Sequence, residues 1–110
     1  MRKTVYIASP YSEGNKLWNV QYSLLVAEGL IRYGFLPYTP LLSHYWNEYS
    51  EHDYEYWMEL DLAWLEQCDI VLRLPGKSHG ADREVNRAFE LNLPVYYNLR
   101  KLIRSEISYL

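Results

Sequence analysis

Asp69-Ile70-Val71-Leu72-Arg73-Leu74 runs into Pro75-Gly76-Lys77-Ser78-His79-Gly80 and then into the segment Ala81 to Leu91. The first six residues are mostly apolar, as a strand covered on both faces of a parallel sheet should be. The next six are rich in turn-formers and read as a loop. From Ala81 onward, Val85, Ala88 and Leu91 point inward at helical spacing, and Asn92 suits a left-handed helix end. A strand, a short loop and a helix in this order are half of a β-α-β unit. Such units impose a parallel sheet with right-handed crossovers.

The same grammar extends in both directions. Upstream, Tyr54 to Gln67 reads as a helix with Trp57, Leu60, Asp61, Trp64, Leu65 and Cys68 on one stripe. Thr39 to Asp53 has no clean period and reads as a loop with at most a helical turn. Phe35-Leu36-Pro37-Tyr38 is a short strand, placed at a sheet edge by Pro37. Thr4-Val5-Tyr6-Ile7-Ala8 is the first strand, closed by Ser9-Pro10-Tyr11-Ser12. Between these two strands, Leu17, Val20, Leu24, Ala27 and Ile31 predict a helix. Ser12 is its expected cap, Glu13 lies in its first turn, and Gly34 is its stop. Downstream, Pro94-Val95-Tyr96-Tyr97 reads as a fourth strand. Leu99 to Leu110 reads as a last helix with Leu102, Ile103 and Ile107 on one side. The order β-α-β-α-β-α-β-α predicts one α/β domain over residues 1–110. Its expected form is a doubly wound, mostly parallel sheet of four or five strands flanked by helices, of flavodoxin or Rossmann-like type.

Bulk properties narrow the function. Hydrophobic residues are 49% and charged residues 23% of the 110, ordinary values for a globular chain. The net charge of −3 gives no basic face, so no nucleic-acid polymer is expected as partner. Cys68 is the one cysteine, which precludes an internal disulfide and fits a reducing, cytoplasmic setting. Met1-Arg2-Lys3-Thr4-Val5-Tyr6 has no long apolar run behind it, so neither a signal peptide nor a membrane span is expected there. Aromatics are abundant, with 12 Tyr, 4 Trp and 2 Phe, many of them between His44 and Trp64. Core filling, a subunit interface and a stacking wall for a nucleobase all account for that cluster.

In an open parallel sheet, ligands bind beyond the carboxyl ends of the strands, where strand order reverses. Three segments are expected to converge there: Tyr6 to Ser12, Pro75 to Gly80, and the loop beginning near Thr39. Ser78-His79-Gly80 leads into a helix, whose exposed N–H groups and positive dipole end suit an anion. An ordinary cap by Ser78 explains the same residues. Glu84 shares a helix face with Ala88 and Leu91, so its carboxylate should point inward. That is costly unless the group is paired or functional; a dipole-complementing acid is the plainer account. Asp61 lies four residues from both Trp57 and Leu65, on an apolar stripe, where either a backbone-bonded acid or a functional one fits. Two inward carboxylates, a first-strand tyrosine and an anion loop suit glycosidic chemistry. One carboxylate attacks or stabilises the anomeric carbon, and the other protonates the leaving group. His44, His52 and His79 match no metal-ligand spacing, so no metal or other cofactor is expected.

Val5-Tyr6-Ile7-Ala8-Ser9-Pro10-Tyr11 resembles the opening strand and loop of nucleoside 2-deoxyribosyltransferases. Residues 59–71, from Glu59 through Asp61 to Val71, resemble the helix-strand unit of the related 2′-deoxynucleoside 5′-monophosphate N-hydrolases. Ser78-His79-Gly80-Ala81-Asp82-Arg83-Glu84 resembles their phosphate loop and catalytic glutamate. The resemblance implies that Glu84 is the catalytic glutamate, that Asp61 assists base departure and that Tyr6 orients Glu84. It places Ser9, Pro10, Tyr11, Ser78, His79 and Gly80 around the substrate. The transferases carry an aspartate six positions before the glutamate; Ser78 stands there instead, and a serine tolerates a phosphate that an aspartate repels. The first loop has no arginine and is closer to the transferase style. The expected activity is therefore N-glycosidic cleavage of a (deoxy)nucleoside 5′-monophosphate. A base-exchanging transferase and a catalytically silent nucleotide-binding protein are the alternatives. The family also implies a homodimer or higher homo-oligomer.

Overall fold

The computed structural model describes residues 2–107. Among these, four strands are present: β1 (Thr4–Ala8), β2 (Leu36–Tyr38), β3 (Ile70–Arg73) and β4 (Val95–Tyr96). Five α-helices separate and follow them: α1 (Lys16–Arg32), α2 (Ser43–Tyr49), α3 (Tyr54–Leu65), α4 (His79–Glu90) and α5 (Leu99–Glu106). The sheet order is β2-β1-β3-β4 and every pairing is parallel. This is the doubly wound α/β fold the sequence predicts, with four strands. From β1 the chain crosses outward to β2, then returns to place β3 on the other side of β1. Strand order therefore reverses between β1 and β3, where Ala8 pairs with Arg73.

Side-chain alternation divides the core into two layers. Val5, Ile7, Ile70 and Leu72 point to one face of the sheet, against Val26, Ala27 and Leu30 of α1 and Leu102 of α5. Tyr6, Ala8 and Val71 point to the other, against Leu65 of α3 and Ala81 and Ala88 of α4. All four β3 residues are buried, which is why that strand reads as mostly apolar, Ile70-Val71-Leu72 before Arg73. Each large aliphatic side chain so buried contributes about 1.5–3 kcal/mol. Asn92 ends α4 at φ 59°, the left-handed conformation its sequence position suggests.

Several local expectations are corrected. Ser12 does not cap α1, and Glu13 is outside its first turn; the cap is Asn15, whose Oδ1 accepts from Trp18 N at 2.9 Å. Gly14, at φ 79°, turns the chain between Ser12 and Asn15. Asn19 Nδ2 then ties the loop to the helix by donating to the carbonyls of Tyr11 and Glu13. Leu17 and Ile31, assigned to the inner stripe of α1, are exposed, and the buried face is Val20, Ser23, Val26, Ala27 and Leu30. The helix is rotated because Ser23 can be buried: its hydroxyl bonds Val20 O at 2.7 Å and Thr39 Oγ1 at 2.8 Å. The segment 39–53 is more regular than a loop, with a 3₁₀ turn (Pro40–Leu42) followed by α2. On α3, Met58 is buried and Trp64 is exposed, the reverse of what the stripe suggests. The end of the predicted last helix, residues 108–110, lies outside the described residues.

Candidate active site

At the point where strand order reverses, a cavity of about 400 Å³ opens between the end of β1, the start of α4 and the α2–α3 segment. Its volume is in the range of small-ligand sites. Three groups define its chemistry. Glu84 comes from the second turn of α4, one residue before the buried Val85 and four before the buried Ala88, and so faces inward. It is 4% exposed. Tyr6, fully buried on β1, donates its hydroxyl to Glu84 Oε2 at 2.5 Å. Asp61, on α3, lines the same cavity.

Burial pushes the Glu84 carboxyl up to about 8, and the charge of Asp61 adds to the shift. The Tyr6 hydroxyl, Arg73 and Arg83 oppose it by favouring the ionised form. Burial alone pushes the Asp61 carboxyl up to about 7. Burial, followed by the Glu84 and Asp61 charges, holds the Tyr6 hydroxyl well above its ordinary range, so it remains a donor. The cavity thus contains two carboxyl groups that lose protons in overlapping steps near neutrality.

Two loops complete the walls. Ser78 caps α4, its Oγ accepting from Ala81 N at 3.0 Å. Because the cap uses an oxygen lone pair, the hydroxyl hydrogen remains able to donate. Ser78, His79 and Gly80 all line the cavity at the positive end of the helix. Gly80 is tightly placed: a Cβ there would stand 3.2 Å from Met58 Cε and 3.3 Å from the Tyr54 hydroxyl oxygen. From the first loop, Ser9 and Tyr11 reach the cavity wall. Pro10 is not among the lining residues; it packs on Gly76 instead, where a Cβ would come within 3.0 Å of Pro10 Cγ. Tyr6 also stands behind the wall and touches the cavity only through Glu84.

The structure brings in residues that sequence reasoning did not assign to the site. His44 and Asn47 of α2, and Tyr54, Trp57 and Met58 of α3, line the cavity. Asn47 Oδ1 accepts from both His52 N at 2.9 Å and Trp57 Nε1 at 2.7 Å, which fixes the junction between the two helices. The aromatic richness of this stretch signalled Tyr54 and Trp57; nothing in the sequence singled out Asn47. Arg73, at the end of β3, was also unassigned. Its guanidinium donates to the Leu74 carbonyl and to Asp82 Oδ1 at 2.9 Å, joining the strand to the first turn of the helix that carries Glu84. Among the described residues, no group of three or more His, Cys, Asp or Glu side chains is placed to hold a metal ion. No helix there is long and apolar enough to cross a membrane.

A family profile described as "Domain of unknown function (DUF7768)" matches residues 3–98. No curated protein matches the chain. Among solved structures, a 2-deoxyribosyltransferase from the psychrotolerant bacterium Bacillus psychrosaccharolyticus superposes with a TM-score of 0.58. It is 22% identical over 84% of this chain and 69% of its own length. That likeness is one of fold.

Proposed function

This chain belongs to the family described as a domain of unknown function (DUF7768), and from its site we propose that it is an enzyme cleaving the N-glycosidic bond of a (deoxy)nucleoside 5′-monophosphate. The carrying observation is Glu84, a buried carboxyl bonded by Tyr6 at 2.5 Å in a cavity shared with Asp61. In this reading the ionised Glu84 attacks C1′ as the base departs. Burial leaves Glu84 the weaker acid of the pair, so the reactive form, with its proton on Asp61, is the minor of the two singly protonated forms. The Tyr6 hydroxyl raises its share by favouring ionised Glu84. Asp61 then protonates the leaving base. The 5′-phosphate lies against Ser78, His79 and Gly80 at the N-terminus of α4, while Ser9 and Tyr11 bound the sugar; Pro10 shapes their loop.

Transfer of the glycosyl group to a second base is the other reading. The arginine-free loop Ser9-Pro10-Tyr11-Ser12 favours it, and the fold neighbour is a transferase. Both readings share the same covalent intermediate. The exposed aromatics of α2 and α3, Tyr45, Trp46 and Tyr49 among them, also suit a homodimer interface.

The test is incubation with a panel of nucleosides, their 5′-monophosphates and NAD, followed by chromatography for free base, with Glu84→Gln in parallel. Release from monophosphates that Glu84→Gln abolishes is the expected result. Exchange between nucleosides without net hydrolysis would identify the transferase. No release from any member of the panel would overturn the enzymatic reading.

A further inference from the structure

Tyr11 and His44 line the cavity, come from different elements, and have no part in the carboxylate pair. The Tyr11 hydroxyl lies 2.6 Å from His44 Nδ1. One helical turn along α2, Glu48 Oε1 lies 3.6 Å from His44 Nε2. A carboxylate near Nε2 favours the tautomer with its proton there, which leaves Nδ1 free to accept from Tyr11. A hydroxyl, an imidazole and a carboxylate in series form the arrangement that takes a proton from a weak acid. The surroundings fit that use. Tyr45 stands edge-on to the His44 ring at 5.1 Å, and Lys16 Nζ lies 5.5 Å from the centre of the Tyr11 ring. Glu13, His52 and Tyr54 are the other titratable side chains that this side adds to the cavity. Most of the Glu48 side chain, 67%, is exposed, whereas Glu84 is buried. The series therefore runs from the cavity to solvent.

We propose that Tyr11 and His44, with Glu48 holding the imidazole, form a proton relay that accepts the proton of the group attacking the sugar in the second half of the reaction. This rests on the glycosidic reading above. Water, or the ring N–H of an incoming base, forms its bond to C1′ as the C1′–O bond to Glu84 breaks. The electron pair of that bond returns to the Glu84 carboxylate. The proton of the attacking group passes to the Tyr11 oxygen as Tyr11 passes its own to His44 Nδ1. The resulting imidazolium, beside Glu48, releases its extra proton to solvent. Asp61 serves the first half, in which the base takes its proton.

Rapid mixing with an equimolar mixture of the four 2′-deoxynucleoside 5′-monophosphates separates the halves. The readouts are base release and intact protein mass. Tyr11→Phe should give a burst of base near the unsubstituted rate, followed by turnover slowed about a hundredfold. A sugar-phosphate adduct should accumulate on the protein. His44→Asn offers an amide oxygen near the position of Nδ1 but cannot hold a proton, so it should behave the same way. Full activity in His44→Asn would make the Tyr11 contact purely structural and overturn the relay. Equal slowing of burst and turnover in Tyr11→Phe would also overturn it. No base release from the unsubstituted protein would overturn the glycosidic reading, and the relay with it, so the two failures are distinct.

Discussion

Glu84 is where function and stability oppose each other. Its carboxyl titrates at about 8 in the folded chain against an ordinary 4.5. Between those values the unfolded chain binds fewer protons than the folded one, so stability falls as pH rises. Below 4.5 the penalty is absent, and above 8 it is complete. Glu84→Gln removes it. That variant should be inactive yet more stable at neutral pH, by on the order of 1 kcal/mol or more. Its gain in Tm over the unsubstituted protein should grow from pH 4.5 to pH 8 and then level off, as scanning calorimetry would show. Asp61 makes a complementary prediction. Activity requires one proton on the pair, so kcat/KM should be bell-shaped with its maximum between about 7 and about 8. Asp61→Asn should be slower and should lose the alkaline limb, since no second acid remains to ionise. A profile with both limbs intact would remove Asp61 from the acid role. The inward aim of Glu84 was legible from its spacing to Ala88. The hydrogen bond from Tyr6 links β1 to α4 across 78 positions, so spacing could not show it; that Tyr6 orients Glu84 was an expectation from the family resemblance alone.

At the scale of elements, α4 is the device that presents the site. Its cap, Ser78, faces the cavity, whereas Asn98 caps α5 by accepting from Lys101 N. Removing either cap should cost about 1 kcal/mol in chemical denaturation. Only Ser78→Ala should also raise KM for 5′-monophosphates, by about tenfold, with nucleosides unaffected. An equal effect on both substrate classes would separate Ser78 from phosphate binding. The strands and the helices α3 and α4 were readable from period and from turn residues. The α2 helix was not: it has seven residues, no buried side chain and no side-chain cap, so no local signal marks it. The face of α1 was misread for a related reason. Periodicity counts apolar residues, and Ser23 is buried through partners that lie on other turns and segments.

For the molecule as a whole, the two-layer core and the site at the strand reversal follow from the alternation of strands and helices, which is why the fold class was legible although α2 and the face of α1 were not. The surface was less so. Trp18, Trp46 and Trp64 are each more than half exposed, and Tyr49 is 90% exposed. Exposed aromatics on this scale predict association through the α2–α3 side. Light scattering at working concentration should return at least a dimer, and Tyr49→Glu should shift it towards monomer. A clean monomer would refute that assembly. Trp57 differs from the other three tryptophans, since its ring lines the cavity and its Nε1 is tied to Asn47. The protein therefore carries its own optical reporter. A nucleotide that seats beside this indole should quench or shift its emission, and the change should vanish in Trp57→Phe. Occupancy can then be followed by light alone, in an inactive variant such as Glu84→Gln, before any substrate has been identified by turnover.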